Sequence, residues 1–425
     1  MSVTSLVLFH VLLCITCIQG RMGIGGTEQD WGYITVRPNA HMFWWLYYTT
    51  YNNVSNYTDR PLIIWLQGGP GMASSGYGNF VEVGPLDPLF EKRQGSFVDD
   101  FNVLFVDNPV GVGYSFTSDN ETKLVTNGDE IGEDLYNFFK EFITMRHPEF
   151  KTVPMYVFGE SYGGKMATEF VYKLTKKEKS SKGKLCNLKG LALGDAYISP
   201  LDYLNHYAPL ALNLGLVDKR GFTRIDELAK QIQVLINKKE FKKASDIENV
   251  ITDLLAFETF GFDLNNFLAK MNSTKLPKVW DYMNLLENVM NNKVKEALNI
   301  ELNVTWKFFE NDLYDSLKGD LIKSVTHKVE ALLNNTDVKI IVYNGILDFL
   351  VNTAGTIAWL DNLNWEGRER WLNTSQTPLV VDEVTEGYFK RVDNLVFYAV
   401  LRAGHSVPID NLPVVNEILQ LELLD

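Results

Sequence analysis

The chain has 425 residues, of which 46% are hydrophobic and 22% are charged, a composition typical of a globular protein with a large buried core. Its formal net charge of -13 argues against nucleic acid or an anionic membrane as the main partner. The length allows either one large domain with an insertion or two domains.

The N-terminal residues 1–20 form an apolar segment that predicts a secretory signal peptide. The stretch from Leu6 to Ile18 contains no Lys, Arg, Asp or Glu, and it is too short to span a bilayer comfortably. The alternative is a buried N-terminal helix. No other stretch of the sequence is long and apolar enough to predict a membrane anchor.

Sequons and cysteines add to this expectation. Asn-x-Ser/Thr sequons predict glycosylation at some of the following residues: Asn53, Asn56, Asn120, Asn272, Asn303, Asn334 and Asn373. The expected location is therefore the secretory pathway, with either secretion or delivery to lysosomes as the end point. Cys14 and Cys17 fall in the leader, which leaves Cys186 without an intramolecular disulfide partner. We expect Cys186 to be a packed side chain rather than a reactive thiol.

Six short apolar runs predict buried strands. In chain order they are "PLIIWLQGGPG", "FNVLFVDNPVGVGYSF", "PMYVFGE", "LKGLALGDAYISP", "VKIIVYNGILD" and "NLVFYAVLRAGH". Helices are predicted before the third run, in "GDEIGEDLYNFFKEFITM", and after it, in "KMATEFVYKLTKK". Nearly continuous apolar strands that alternate with helices predict an α/β fold whose mostly parallel sheet is covered on both faces.

The segment from about 201 to 330 lacks strand-like runs and predicts a helical insertion. One of its helices places the following apolar residues on a single face: Ile247, Val250, Ile251, Leu254 and Leu255. We predict a lid over the site, with a separate helical domain as the alternative. The expected division is a leader (1–20), a first part of the core (21–200), the insertion (201–330) and a second part of the core (331–425).

Ser161 stands in "GESYG", between the predicted strand "PMYVFGE" and the helix that follows. A serine there sits on a tight turn at the carboxyl end of the sheet, and small neighbours let strand and helix approach closely. The helix N-terminus then faces any negative charge that develops beside the hydroxyl. This context predicts the nucleophile elbow of an α/β-hydrolase.

A base and an acid for Ser161 are expected later in the chain, because α/β-hydrolases place the acid and then the histidine after the serine. His405 follows the last predicted strand, and Asp348 follows the strand before it. Both lie just past a strand's carboxyl end, where such sheets gather their sites. Asp348 would orient the imidazole and stabilise its cationic form. Asp361 and Asp393 are weaker candidates for the acid.

The turn in "WLQGGPG" predicts the oxyanion hole. The N–H of Gly69 and the N–H of Tyr162, which follows the nucleophile, are the natural pair of donors. The alternative is a tight turn that serves only its Gly-Pro geometry.

Five stretches together resemble the serine carboxypeptidases. They are "WLQGGPGMASSGYGNFVEVGPL", "VLFVDNPVGVGYSF", "FGESYGGK", "YNGILD" and "AGHSVP", in that order. Gln67 and the residues around Asp348 look closest to the retinoid-inducible branch of that family. The resemblance implies an α/β-hydrolase core with a helical cap. It also implies removal of the C-terminal residue from peptides through an acyl-enzyme, fastest at acidic pH, with no metal or other cofactor.

By motif position, the resemblance assigns the triad to Ser161, Asp348 and His405 and the oxyanion hole to Gly69 and Tyr162. It assigns recognition of the substrate's terminal carboxylate to a further group of residues: Trp65, Gln67, Gly68 and Glu160, with Glu82 as the partner of Glu160. A buried glutamate must be protonated to donate a hydrogen bond to a carboxylate, and two close carboxyls that share a proton raise one pKa. This would explain an acid optimum. The alternative is two independent solvated glutamates.

The sequence departs from the family pattern at three positions. Gln67 stands where many members have Asn, and Met72 replaces a common Cys. Ser406 follows the histidine where members commonly have Met, a residue of the leaving-group pocket, so the preferred C-terminal residue stays open. None of these changes removes a catalytic group.

Two other functions are open at this point. One is an acyltransferase on the same scaffold, in which an alcohol replaces water as the acceptor. The other is a catalytically silent secreted binding protein. The expected partner is the C-terminus of a peptide or protein, and the oligomeric state is open.

Overall fold

The computed structural model describes residues 21–424, apart from 53, 182, 260, 270–281 and 302. The expected signal peptide and the sequons at Asn53 and Asn272 therefore lie outside the described residues. Within those residues, no helix is long and apolar enough to cross a bilayer.

Among the described residues, one sheet of twelve strands forms the centre of the fold. The strands are β1 (Arg21–Met22), β2 (Glu28–Arg37), β3 (Ala40–Tyr47), β4 (Leu62–Leu66), β5 (Asn102–Val106), β6 (Phe116–Thr117), β7 (Pro154–Glu160), β8 (Asn187–Gly194), β9 (Lys339–Gly345), β10 (Thr377–Val381), β11 (Val384–Val392) and β12 (Leu395–Val400). Their spatial order is β1-β2-β3-β5-β4-β7-β8-β9-β12-β11-β10, and β6 pairs with β3.

The middle of the sheet is parallel and its edges are antiparallel. The run β5-β4-β7-β8-β9-β12 is parallel throughout. These six strands are the six apolar runs that the sequence predicts. All residues of β4 and β5 are buried, as expected for strands covered on both faces. The antiparallel strands at the two edges lie outside the sequence predictions.

Helices flank this sheet. The α-helices are α1 (Gly128–Glu141), α2 (Tyr162–Ser181), α3 (Pro200–Asn213), α4 (Lys219–Asn237), α5 (Phe241–Glu258), α6 (Met283–Val289), α7 (Lys295–Ala297), α8 (Asn311–Leu321), α9 (Thr326–Asn335), α10 (Thr353–Asn362), α11 (Arg368–Asn373), α12 (Val407–Asp410) and α13 (Leu412–Leu419). Wider π-helical turns occupy Ser74–Val83, Phe142–Arg146, Met290–Val294 and Gln420–Leu424. Short 3-10 turns occupy Ile24–Gly26, Tyr57–Asp59, Phe97–Asp99 and Pro148–Thr152.

The predicted helices on either side of the strand that leads to Ser161 are confirmed. α1 begins where the side chain of Asn127 accepts from the N–H of Glu130, which satisfies one of the free donors at the helix start. Its predicted apolar face is buried: Ile131, Leu135, Phe138, Phe139 and Phe142. α1 packs against α2, and α2 packs on β7 and β8. This packing fixes α2 at the carboxyl end of β7.

The described residues between β8 and β9 form helices and no strand, as the sequence predicts. The apolar face expected for α5 is only partly buried. Ile251 and Leu255 are buried, whereas Val250 is 49% exposed. α5 packs against α4 and α8. These two helices cover only part of the apolar face that the sequence predicts for α5.

Cys186 is buried, as expected for a packed side chain. Burial raises the pKa of its thiol to about 12. Because the thiolate is the reactive form, such a thiol is inert at physiological pH.

Candidate active site

Ser161 lies at the turn between β7 and α2 in a strained backbone conformation. Its φ is +58°, in the left-handed region that side chains disfavour. Two backbone hydrogen bonds hold it there, from Ser161 N to Gly194 O at 3.0 Å and from Tyr197 N to Ser161 O at 2.9 Å. A Cβ atom on Gly163 would come 2.1 Å from the carbonyl oxygen of Leu66, so glycine is required for this close approach. The elbow that the sequence predicts is therefore present.

The turn after β4 passes directly beside this serine. A Cβ atom on Gly68 would lie 2.6 Å from the Cβ of Ser161. Gly69 follows with a φ of +114°. Tyr162 is the first residue of α2, and its N–H therefore has no acceptor within the helix. Gly68, Gly69 and Ser161 line the same cavity.

Asp348 and His405 form a hydrogen-bonded pair past the ends of β9 and β12. His405 Nδ1 and Asp348 Oδ2 are 2.7 Å apart. Asp348 Oδ1 accepts from the N–H of Val351 at 3.0 Å, and its side chain is fully buried. Burial disfavours the imidazolium, but the carboxylate of Asp348 outweighs burial and raises the pKa of His405 above its usual value. The pair therefore combines an oriented imidazole with a buried counter-charge.

The other candidate acids lie elsewhere. Asp361 accepts a hydrogen bond from Trp371, and Asp393 pairs with Arg370. In the part of the chain that the structure describes, His405 is the only histidine that lines the cavity with Ser161.

The cavity above Ser161 has a volume of about 380 Å³. His405 and Ser406 lie on one of its walls, and Gln67 and Glu160 lie beside the serine. The helical segment between β8 and β9 supplies several more lining residues: Asp263, Asn265, Asn266, Tyr282, Phe308 and Phe309. The core and the helical segment thus enclose the cavity together.

A chain of hydrogen bonds leads from Trp65 to Glu160. Trp65 Nε1 donates to Gln67 Oε1 at 2.8 Å, which turns the amide so that Gln67 Nε2 donates to Glu160 Oε1 at 3.0 Å. The hydroxyl of Ser406 donates to the same Glu160 oxygen at 3.1 Å. Glu160 is thereby oriented from two sides. The longer side chain of Gln67, compared with Asn, reaches this oxygen directly.

Glu82 and Glu160 face each other and are both buried, with 0% and 1% of their surface exposed. Neither oxygen of Glu82 has a donor among the described residues, and Glu160 Oε2 lacks one as well. Burial and the nearby charge of Glu82 raise the pKa of Glu160 well above its usual range. Burial also raises the pKa of Glu82. A proton shared between the two carboxyls would supply the missing donor and leave at least one of them neutral.

Comparisons with known proteins agree with this geometry. The profile of the family described as serine carboxypeptidase matches residues 23–423. The chain belongs to the serine carboxypeptidase family. The chain is 34% identical to the mouse "Retinoid-inducible serine carboxypeptidase" over 416 residues, with 93% of this chain and 91% of the relative covered. It is also 34% identical to the Arabidopsis thaliana "Serine carboxypeptidase-like 51", with 97% and 98% covered.

A solved structure confirms the fold. The yeast prohormone-processing carboxypeptidase Kex1, from Saccharomyces cerevisiae, superimposes with a TM-score of 0.81 at 26% identity, covering 93% of this chain and 91% of Kex1. The fold is thus the α/β-hydrolase fold that the sequence predicts. As a serine carboxypeptidase by family, the protein is a hydrolase.

Sequence reasoning missed two features of this carboxypeptidase site. The first is that Ser406, expected in the leaving-group pocket, donates to Glu160 as well as lining the cavity. The second is Asp195, which is fully buried next to Asp348 and His405. Asp195 follows the predicted strand "LKGLALG" directly, so the rule that selects Asp348 would also have selected it.

Proposed function

We propose that the protein removes C-terminal residues from peptides and proteins through an acyl-enzyme formed on Ser161. His405 takes the hydroxyl proton as Ser161 attacks the scissile carbonyl carbon, and Asp348 stabilises the imidazolium. The proton then passes to the leaving amino group as the peptide bond breaks. Water, activated by His405, releases the acyl group and restores the serine. The 2.7 Å contact between His405 and Asp348 supports these roles.

Gly69 and Tyr162 are the proposed oxyanion hole. Their N–H groups would donate to the carbonyl oxygen as it gains negative charge in the tetrahedral intermediate. The proposal rests on the position of Tyr162 at the start of α2 and on the close approach of the Gly68–Gly69 turn to Ser161.

The buried Glu82–Glu160 pair is the single observation that carries the carboxypeptidase proposal. A general serine hydrolase has no need for a neutral carboxyl next to its nucleophile. A protonated Glu160 can donate a hydrogen bond to the free carboxylate of a substrate's last residue. Trp65, Gln67 and Gly68 would complete this recognition site, with Glu82 as the group that keeps the proton in place. The contacts from Gln67 and Ser406 to Glu160 support this assignment.

Two titrations then shape the dependence of activity on pH. The raised pKa of Glu160 keeps its donor proton to a higher pH than an ordinary glutamate, and the donor is lost as the pH rises through that pKa. His405 must be neutral to accept a proton, so activity falls when the pH drops below the pKa of His405. We therefore expect acidic pH to favour substrates with a free carboxylate more than substrates without one.

The helical segment at 201–330 is the proposed cap, between core parts at 21–200 and 331–425, because several of its residues line the cavity. We also propose that the protein enters the secretory pathway and is secreted or delivered to lysosomes. Asn56, Asn120, Asn303, Asn334 and Asn373 are the described candidates for glycosylation. Asn53 and Asn272 are proposed on sequence alone.

An N-blocked dipeptide and the same dipeptide with a C-terminal amide test this function. We expect wild-type protein to hydrolyse the free acid much faster than the amide at about pH 5, and Ser161→Ala to be inactive on both. Equal turnover of acid and amide would contradict carboxylate recognition. Unchanged activity in Ser161→Ala would contradict the acyl-enzyme.

A further inference from the structure

Asp195 is a buried carboxylic acid that the proposed mechanism does not use. It is the first residue after β8, its surface is 0% exposed, and its φ of +40° lies in the left-handed region. Its Oδ1 accepts from Asn344 Nδ2 at 2.8 Å and from Gly345 N at 2.9 Å. A strained backbone at a fully buried titratable residue is a feature that functional sites share.

The second oxygen of Asp195 lacks a donor, and its carboxyl group lies beside the triad. Asp195 Oδ2 has no hydrogen-bond partner among the described groups when it is written as a carboxylate. Yet an oxygen of Asp195, an oxygen of Asp348 and a ring nitrogen of His405 all lie within 4.8 Å of one another. Both oxygens of Asp348 are already acceptors, from Val351 N and from His405 Nδ1. Two buried carboxyls this close, neither of which can donate while ionised, favour a proton on one of them.

That proton belongs on Asp195. Asp348 pairs directly with the imidazole of His405, which needs a charged partner, whereas the described residues form no ion pair with Asp195. Burial, followed by the charge of Asp348, raises the pKa of Asp195 well above its usual range. His405, Glu160 and the phenol of Tyr343 are the other titratable groups near Asp195, and Glu160 raises the pKa of Asp195 further when it is ionised.

The loop that carries Asp195 also holds the nucleophile. Gly194 O accepts from Ser161 N at 3.0 Å, and Tyr197 N donates to Ser161 O at 2.9 Å. Residues on either side of Asp195 therefore fix the backbone of Ser161, while the side chain of Asp195 reaches toward Asp348. One short segment spans the distance between nucleophile and acid.

We propose that Asp195 is a positioning residue of the triad, a neutral carboxylic acid whose Oδ2–H donates to the carboxylate of Asp348 and holds it against His405. This inference rests on the proposed function of Ser161, Asp348 and His405. Asp195 touches no substrate atom and acts through Asp348 alone.

Two substitutions of Asp195 test whether its hydrogen bond to Asp348 matters: one keeps a donor at this position and the other removes it. Asp195→Asn keeps an acceptor for Asn344 and Gly345 and places an N–H donor toward Asp348. Asp195→Ala removes both. The substrate is an N-blocked amino-acid nitrophenyl ester, which has no free carboxylate and therefore does not depend on Glu160.

We expect Asp195→Asn to keep kcat within about threefold of wild type and Asp195→Ala to lower kcat by about 10–100-fold, with KM changed by less than about twofold in both. The same loss of kcat in a folded Asp195→Asn variant, or full activity in Asp195→Ala, would overturn the proposal. Ser161→Ala is assayed beside them. Full ester activity in Ser161→Ala would contradict the proposed function. Loss of activity in Ser161→Ala together with an unexpected result for the Asp195 variants would contradict only the role of Asp195.

The protonation state of Asp195 can also be measured directly. A purely structural role for Asp195 does not require a neutral side chain, so this measurement tests the proposal even if Asp195→Ala does not fold. Infrared difference spectra of wild type minus Asp195→Asn at about pH 5 should contain one band of a neutral carboxylic acid, since an amide absorbs elsewhere. Glu82 and Glu160 contribute equally to both proteins and cancel. A difference spectrum with a carboxylate band in its place would overturn the proposal.

Discussion

Two buried acids, Asp348 in its pair with His405 and Glu160 in its pair with Glu82, lie at the same edge of the sheet, and their partners give them opposite character. Asp348 faces the imidazole of His405, and Glu160 faces another carboxyl, Glu82. Both acids are buried, so burial alone does not separate them. In the proposed mechanism the imidazole lets Asp348 serve as a counter-charge, with Asp195 as a neutral donor beside it, whereas the acidic neighbour Glu82 makes Glu160 a hydrogen-bond donor. The nearest partner, rather than the residue type, therefore determines what each carboxyl can do.

The largest effect is expected when Asp348, the acid of the pair with His405, loses its negative charge. Asp348→Asn should lower kcat by about 10⁴-fold on peptide and ester substrates alike, because the amide favours the wrong tautomer of His405. Steady-state kinetics on both substrates measures this, with circular dichroism to check folding. If kcat falls only for peptides with a free C-terminus, Asp348 takes part in carboxylate recognition, and the different roles given to Asp348 and Glu160 are contradicted.

The next largest effect is expected when the Glu82–Glu160 pair is broken by removing Glu160. Glu160→Ala should raise KM for an N-blocked dipeptide acid by about 10–100-fold, because hydrogen bonds to charged groups are among the stronger ones. The nitrophenyl ester serves as the internal control, and its kcat should stay within about threefold of wild type. If both substrates lose activity together, Glu160 belongs to the catalytic machinery and the comparison fails.

A smaller effect is expected when Glu160 is made permanently neutral. Glu160→Gln keeps an acceptor for Gln67 and Ser406 and places an N–H where the shared proton would lie. In wild type, KM for the dipeptide acid should rise about tenfold or more between about pH 5 and pH 7.5 as the donor proton is lost. KM of the variant should stay nearly constant over that range. A variant with the wild-type slope would exclude Glu160 as the titrating group.

The smallest effect is expected at Ser406. Ser406→Ala removes one of the two donors to Glu160 Oε1 and should raise KM for the dipeptide acid by about twofold to tenfold, since a neutral hydrogen bond contributes little net energy. Ester hydrolysis should be unaffected. Ser406→Thr, which keeps the hydroxyl, is the matched control and should stay closer to wild type.

The sequence predicts the parts of the molecule that depend on local pattern. The six parallel strands appear as nearly continuous apolar runs because both faces of each are covered. Most residues of β10 and β11 at the sheet edge are exposed or only partly buried, so their sequences contain no comparable run. Ser161, Asp348 and His405 follow strand ends and are found by the same rule.

Contacts between distant segments could not be predicted in the same way. Ser406 reaches Glu160 only because the loop after β12 folds over the end of β7, a separation of 246 residues. Asp195 has the local signal of a residue after a strand, but its neutral state depends on Asp348, which arrives from β9. The protonation state of Asp195 depends on residues that are distant in sequence and close in space, so a local sequence motif cannot predict it.

The decisive measurement is the ratio of kcat/KM for an N-blocked dipeptide acid to that for its C-terminal amide. The proposed neutral Glu160 predicts a ratio well above one at about pH 5 that falls steadily toward one as the pH rises to about 7.5. A ratio that stays constant over this range, or one near unity at acidic pH, would contradict recognition of the substrate carboxylate by a protonated glutamate.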